Sequence, residues 1–587
     1  MSIPVHLKKY AMLGVKALVS LFPQQFKNWL KKSPYLTSLY SRNLQRSGLF
    51  YGFPSRKKLE ALYSKNMALQ NQLIDSIQSQ NNLVLNVLVV VPAKATGSLA
   101  RTYRSIMALN NAQCRVTVFT QVEQIETCRT QLSEYVKNDQ NLRFISGMEP
   151  KIEHDFLVVY AGNELHRSLA TVLDVNRTEN TDIIYFDTDA ISQGKRHSPE
   201  FYPDWTPDLQ YSTAYLRHVF WIAKGALLKQ FSFSNDNEAI ATFIANADAR
   251  INLKISHVPL VMSHRFTTFD FSMEKYRLAL QQALSAKANV LLSQNKRHLS
   301  LRWQHQEQPL VSLVIPTKNG LSLVKACIES ILEKTSYPHY EILLVDNNSD
   351  EPQSIAYFDE LAKHPQITLL KYPYEFNYSA INNFAVEHAK GSVVGLVNND
   401  IEVISADWLT DMVGHVLREN IGCVGAKLLY SDGRIQHAGV VMGYGGGAGH
   451  AHKYFPQYHP GYMNRLSATG NFSAVTAACL LVSKSDYQAV GGLEETLKVA
   501  FNDVDFCLKV TRLGRRNLYC AEAELFHHES VSRGHEDTVE KRSRFESELA
   551  YLTEKWSQVI EHDPAYNPNL TLSRENFSIK DNVKEMR

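Results

Sequence analysis

An α/β protein with mainly parallel sheets, built twice along one chain, is the fold class this sequence predicts. Three observations carry it. Apolar runs of strand length alternate with amphipathic helical stretches, the pattern of strands crossing over through helices. Two segments open alike, "LNVLVVVPAKATGSLARTYRSIMAL" (85–109) and "VSLVIPTKNGLSLVKACIESILEKT" (311–335), each an apolar strand, a Pro turn and a helix. In the second of the two units Pro316, Asp346 and Asp400 all lie just after the carboxyl ends of strands. Ligands of parallel sheets sit beyond such carboxyl ends, so these residues are expected to meet along one edge.

Taken in order, the chain divides into five stretches. Residues 1–80 are expected to be a basic amphipathic helical segment. They hold twelve Lys or Arg against Glu60 and Asp75, a formal +10, which leaves about −7 for the rest of a chain whose net charge is +3. Leu7, Met12, Val15, Leu18, Phe22, Phe26, Trp29 and Leu30 stand among Lys8, Lys9, Lys16, Lys27, Lys31 and Lys32. Such a helix suits an anionic membrane surface; docking on its own protein is the equal alternative. No apolar run reaches spanning length, and the stretch lacks a small-residue cleavage site. The first α/β unit occupies 81–290 and a helical or extended connection 291–310. The second unit runs over 311–560. A Pro- and Asn-rich peripheral wrap and frayed tail fills 561–587.

The seven cysteines have no CxxC pair and no regular spacing, which reads as free thiols in a reducing compartment. The basic segment comes without any nucleic-acid motif, so no nucleic-acid partner is expected.

The chemistry lies in the second unit. The buried-looking run Val393 to Val397 stops at Asn398, Asn399 and Asp400. A carboxylate at a strand end beside amides suits a hard divalent cation that also carries phosphate oxygens. "VAFNDVDFCLKVTRLG" (499–514) sets Asp503 and Asp505 at the head of an amphipathic helix, where capping accounts for one of the two. "AELFHHESVSRG" (523–534) ends an apolar run at His527, His528, Glu529, Ser530 and Arg533. The Gly-rich "MGYGGGAGHAHKY" (442–454) reads either as a mobile loop near an acceptor or as a structural turn.

Residues 308–560 resemble a family 2 glycosyltransferase of the kind that builds bacterial O-antigen and other surface polysaccharides, rhamnosyltransferases among them. The blocks "VSLVIPTKN", "EILLVDNNSD", "FNYSAINNFAV", "LVNNDIEV", "VTAACLLVSK" with "VGGLEE", "FNDVDFCLK" and "HHESVSRG" carry the likeness. It implies the GT-A, Rossmann-like nucleotide-diphosphosugar transferase fold. It also implies that Pro316, Thr317, Asp346, Asn398, Asn399 and Asp400 bind a nucleotide diphosphate sugar donor, and that Asp400 and His527 hold Mg²⁺ or Mn²⁺. Asp503 would then be the catalytic base, with Asp505, Gly491, Gly492, His528 and Arg533 supporting it or the acceptor. The implied acceptor is a growing polysaccharide or a lipid-linked oligosaccharide, and the implied place is peripheral, on the cytoplasmic face of the cell membrane. Two departures stand out. Asn398 replaces the first acid of the family's Asp-x-Asp, with Glu402 two residues on as a substitute on the same face, and Asn502 precedes the base.

"DIIYFDTDAISQGKRHSPEFYPDWTPDLQYSTAYL" (182–216) resembles the middle of a second such domain. After "HDFLVVY", however, the chain offers Tyr160, Ala161, Gly162, Asn163 and Glu164 in place of an acidic motif. The first unit is therefore expected to be a non-catalytic partner. The rival to the enzyme is a carbohydrate-binding scaffold in which both units are inactive.

Overall fold

The computed structural model describes residues 5–23, 26, 56–79, 81–136, 140–147, 154–251, 253–268, 270–528 and 538–580. The chain is α/β, as its alternating pattern requires, and each unit is built on its own large sheet.

The second unit's sheet runs in the order Ile367–Lys371, Tyr340–Asp346, Val311–Thr317, Val393–Val397, Cys479–Ser483, Ile421–Leu429, Arg516–His527, Ile401–Val403. The first four strands are parallel; Cys479–Ser483 runs antiparallel to both its neighbours. Strand alternation sends Leu313 and Ile315 to one face, where Val324, Ile328, Trp408 and Met412 cover them. Val314 and Leu396 face the other side, under Ile381, Ala385, Phe506 and Leu552. Helices thus bury both faces, and the polar strand ends are left for the edge.

The first unit repeats this order strand for strand: Leu142–Ile145, Ala112–Phe119, Leu83–Val90, Phe156–Tyr160, Val219–Ile222, Ile183–Ser192, Ile255–Arg265, Asn163–Leu165. The pairing senses agree as well. Val219–Ile222 is antiparallel to both neighbours, Ile183–Ser192 and Ile255–Arg265 are parallel, and the last pair is antiparallel.

Between the units, Ala288–Leu292 and Leu299–Trp303 form an antiparallel hairpin. Its Val290, Leu299 and Leu301 pack under Tyr276 and Leu280 of the first unit, while His305 reaches the Gly414 carbonyl of the second at 2.9 Å.

One expectation needs correcting. The frayed tail expected at the end falls on 581–587, outside the described residues, but residues 563–580 are not a peripheral wrap. Most of them are buried, because their amides and carbonyls satisfy polar groups of both units. Asn567 Nδ2 donates to Asp187 at 3.0 Å and to the Tyr202 carbonyl at 2.7 Å; Arg465 donates to the Ala565 carbonyl at 2.7 Å. Within 1–80, docking on the protein, one of the two alternatives, holds for one helix. The helix Arg56–Ser76 is docked on the first unit, with Leu62, Tyr63 and Met67 packed among Phe201 and Val261. The helix Val5–Leu21 does leave Tyr10, Leu13, Val15, Leu18 and Leu21 exposed. Lys27, Trp29, Leu30, Lys31 and Lys32 lie outside the described residues. Among the described residues no helix is long and apolar enough to cross a membrane.

The block "PDWTPDL" is an interface device. Asp208 binds Arg418 at 2.5 Å and Asn471 at 2.9 Å, and Arg418 lies over the Trp303 ring.

Candidate active site

Strand Val393–Val397 is wholly buried, and the three residues after it turn the chain into Ile401–Val403. That short strand pairs antiparallel with the end of Arg516–His527, with Ile401 opposite His527. The register therefore brings together two residues far apart in sequence. His527 Nε2 stands 3.1 Å from Asp400 Oδ1 and 3.2 Å from the Asn398 amide nitrogen. The other ring nitrogen of His527, Nδ1, lies against the Gln436 side-chain amide, 2.6 Å from its nitrogen and 2.8 Å from its oxygen.

The nucleotide side of the edge is built by the neighbouring strands. Thr317 pairs in register with Asp346, and the Asn399 amide donates to the Thr317 hydroxyl at 3.0 Å. Burial pushes the Asp346 carboxyl up, but the Ser349 amide at 3.0 Å and Lys371 Nζ at 2.9 Å outweigh it, so the group stays below the ordinary carboxylate range. Pro316 precedes this pair at the strand end, half-buried.

Across the cleft, helix Asn502–Thr511 starts from Phe501 in a left-handed conformation (φ 62°), which turns Asp503 inward. Asp503 accepts from the Ala477 amide at 3.1 Å and from the Val504 amide at 2.9 Å. Burial raises its pKa despite these bonds and one to Thr476. A carboxylate held in that way is a stronger base than a solvated one.

His437 links the two sides. It is fully buried, its Nε2 accepts from the Thr476 amide at 3.4 Å, and its Nδ1 lies 2.8 Å from Nδ1 of His450. Burial, then the neighbouring His450 and His527, hold it well below the usual histidine range, so it is neutral. Gln436, His437, His450 and Thr476 were missed in the sequence. The only signal was the density of histidine between 437 and 452.

Several expected site residues have other work. Asp505 is fully buried and turned to the helix Val539–Glu561, where Trp556 Nε1 donates to it at 2.7 Å and Lys555 Nζ binds it at 2.8 Å. It anchors that helix and does not face the cleft. Gly491 and Gly492, both with positive φ, close the helix Lys484–Ala489, and the Gly492 carbonyl accepts from Lys509. Their role is the turn. Glu402 does not join Asp400: it is held by His528 Nε2 at 3.2 Å and Lys334 Nζ at 3.3 Å, which also accounts for His528. Arg533, with Glu529 and Ser530, lies outside the described residues. The Gly-rich stretch is a hairpin, Val440–Met442 with Ala448–His450, its Met442 amide bound to Asp563 at 2.7 Å. It is a structural turn whose end carries His450 to the cleft.

The donor set fits a hard divalent cation. An octahedral ion with bonds of about 2.1 Å holds adjacent ligands about 3 Å apart, and Asp400 Oδ1 and His527 Nε2 are separated by 3.1 Å. Among the described residues no three His, Cys, Asp or Glu side chains gather for a metal, so further ligands would be phosphate oxygens and water.

Residues 312–491 match the sequence model of "Glycosyl transferase family 2". The chain is 43% identical over 418 residues to the uncharacterized protein y4gI of Sinorhizobium fredii, an alignment covering 67% of this chain and 46% of that protein. It is 31% identical over 411 residues to the O-antigen biosynthesis protein RfbC of Myxococcus xanthus, covering 67% of this chain and 32% of that one. The chain thus spans less than half the length of either relative. Among solved structures, a mannosyltransferase of Pyrobaculum calidifontis in complex with GDP-Man and Mn²⁺ aligns with a TM-score of 0.33 and 18% identity, over 45% of this chain and 68% of that one. GalNAc-T7 with UDP, GalNAc and Mn²⁺ aligns at 0.36 and 14%, over 48% and 56%.

Proposed function

We propose that this chain, whose second unit is a family 2 glycosyltransferase domain, transfers a sugar from a nucleotide diphosphate donor to a hydroxyl of a growing surface polysaccharide or lipid-linked oligosaccharide, with inversion at the anomeric carbon. The observation that carries this is the meeting of Asp400 and His527 at 3.1 Å on the sheet edge, opposite a half-buried Asp503 of raised pKa.

Asp346, Thr317 and Asn399 hold the nucleoside at the strand ends. Asp503 takes the proton of the acceptor hydroxyl as its oxygen bonds to the anomeric carbon. The bond from that carbon to the diphosphate oxygen breaks, and its electron pair leaves with the nucleoside diphosphate. Attack opposite the leaving group inverts the centre. Asp400 and His527 would hold a Mg²⁺ or Mn²⁺ ion, which would supply positive charge for the departing diphosphate. Neutral His437, fixed between His450 and the Thr476 amide, keeps the loop that holds Asp503 in place. The exposed apolar residues of Val5–Leu21 support a peripheral attachment to anionic lipid.

The test is an assay of the purified chain against a panel of nucleotide sugars after chelation, with and without added Mn²⁺. Metal-restored transfer of one sugar supports the reading. Donor turnover with none of the panel, under any metal, leaves the scaffold reading in its place.

A further inference from the structure

The first unit carries a cavity, closed on one side by the second, that the second unit's chemistry does not use. Because the two sheets share order and pairing sense, strand pairings set their registers side by side. Val159 opposite Val219 corresponds to Val397 opposite Cys479, and Asn163 opposite Arg265 corresponds to Ile401 opposite His527. On this register Gly162 stands at the place of Asp400, Arg265 at that of His527, and Arg217 at that of Ala477, whose amide holds Asp503. Gly162 has φ +110°, and a Cβ there would run into the Thr267 hydroxyl, so no acid can be accommodated at that point.

The corresponding cleft is a cavity of about 790 Å³. Arg217, Arg265 and Arg297 line it against a single acid, Glu200. Met463 and Asn464 of the second unit close one side, both with positive φ. Arg265 binds Glu200 at 2.9 Å, and the Glu200 carboxyl is held at about 2: burial opposes its charge, but Arg265 and its other cationic neighbours outweigh that. One arginine is therefore neutralised and two charges remain. Arg217 lies over the Phe271 ring, and neither its Nε nor that of Arg265 meets an acceptor among the described residues. Buried guanidinium donors without acceptors are costly, and phosphate oxygens satisfy them in fork geometry.

We propose that this cavity binds a diphosphate group without a metal ion, the guanidinium groups of Arg217 and Arg265 standing where the second unit's metal ligand and base-holding loop would be. Two compounds bear that group in this chemistry, a nucleoside diphosphate and a prenyl diphosphate of the kind that carries a lipid-linked acceptor. The inference does not rest on catalysis by the second unit.

Titration of the full chain with inorganic pyrophosphate in EDTA, followed by calorimetry, tests it. Binding is expected, weakened roughly tenfold or more by Arg217→Gln, the loss of a charge-assisted contact. The paired variant Glu200→Gln with Arg265→Gln removes both partners of the ion pair and so tests Arg265 without stranding a buried carboxylate; it is expected to weaken binding likewise. Asp400→Ala with His527→Ala should leave it unchanged. Tighter binding of UDP, GDP or dTDP than of pyrophosphate assigns the site to a nucleotide. Tighter binding of a prenyl diphosphate in detergent micelles assigns it to the lipid carrier. No binding in EDTA, binding indifferent to both arginine variants while their melting curves stay normal, or binding lost with Asp400 and His527, overturns the proposal.

Discussion

Acids of the two units, two beside the second sheet's edge and two inside strand Ile183–Ser192 of the first, have opposite fates. In the second unit Asp400 meets His527, and Asp503 accepts from the Ala477 and Val504 amides. In the first, Asp187 and Asp189 are fully buried and committed to the chain itself. Asp187 accepts from the Tyr202 amide and the Asn567 side chain and pairs with His257 at 3.0 Å. Asp189 takes the Tyr63 hydroxyl at 2.5 Å, Arg196 at 2.6 Å and His264 at 2.6 Å. The sheet frame is the same, so the frame does not decide chemistry. What decides it is whether a carboxylate at the edge is left open to a ligand or used to fasten distant segments.

The largest effect that sharpens this contrast is on stability. His257 has a carboxylate on each nitrogen, Asp187 at 3.0 Å and Asp204 at 3.2 Å. Burial disfavours its charge, yet these two raise its pKa to about 9. Asp187→Ala leaves that charge with Asp204 alone and Asn567 with the Tyr202 carbonyl alone, and should cost about 3–5 kcal/mol of unfolding free energy. The sign of the pH effect follows. A raised histidine pKa stabilises fully below about 6.5, and the contribution is lost as pH rises through 9. Melting temperature should fall over that window in the parent and less in Asp187→Ala, as differential scanning calorimetry at several pH values would record.

Next in size is metal-linked binding. Asp400→Ala, and less severely His527→Ala, should weaken the Mn²⁺-dependent part of nucleoside diphosphate binding by roughly 10- to 100-fold, with little change in melting temperature. An unchanged metal effect in both variants would remove them from the site. A smaller effect concerns rate against pH. With Asp503 as the proposed base, the rate should fall as pH drops through its raised pKa, and the acid limb of kcat should lie above the ordinary aspartate value of about 3.9. The smallest structural effect belongs to residues 1–55. Their removal should abolish flotation with anionic liposomes, at about 1 kcal/mol per basic residue near the surface, and leave melting unchanged because Tyr63 and its helix remain.

How much of this was legible in the sequence depends on where the information sits. The two sheets were, since apolar strands alternating with helices write themselves into a chain. The polar runs at Asp400 and His527 stood out because each stops an apolar one, and Asp503 because it heads an amphipathic helix; their roles belong to the proposal. Asp505 looked like Asp503 because both head one helix, and only the packing of Trp556 and Lys555 separates them. Asn567 and Asn569 looked like loop residues, although they hydrogen-bond a buried carboxylate 380 or so positions away. Gly162 and Arg265 acquire meaning only through strand register, which no single segment states.

The central claim is that one unit transfers sugar and the other does not. Asp503→Asn tests it most directly, with acceptor products read by mass spectrometry across the nucleotide-sugar panel. Loss of kcat by about 10²- to 10⁴-fold is expected for removal of the base, with nucleoside diphosphate binding retained and no sugar added at the parent's rate. A variant that still adds one sugar at the parent's rate would contradict the account, because the first unit would then be a working enzyme.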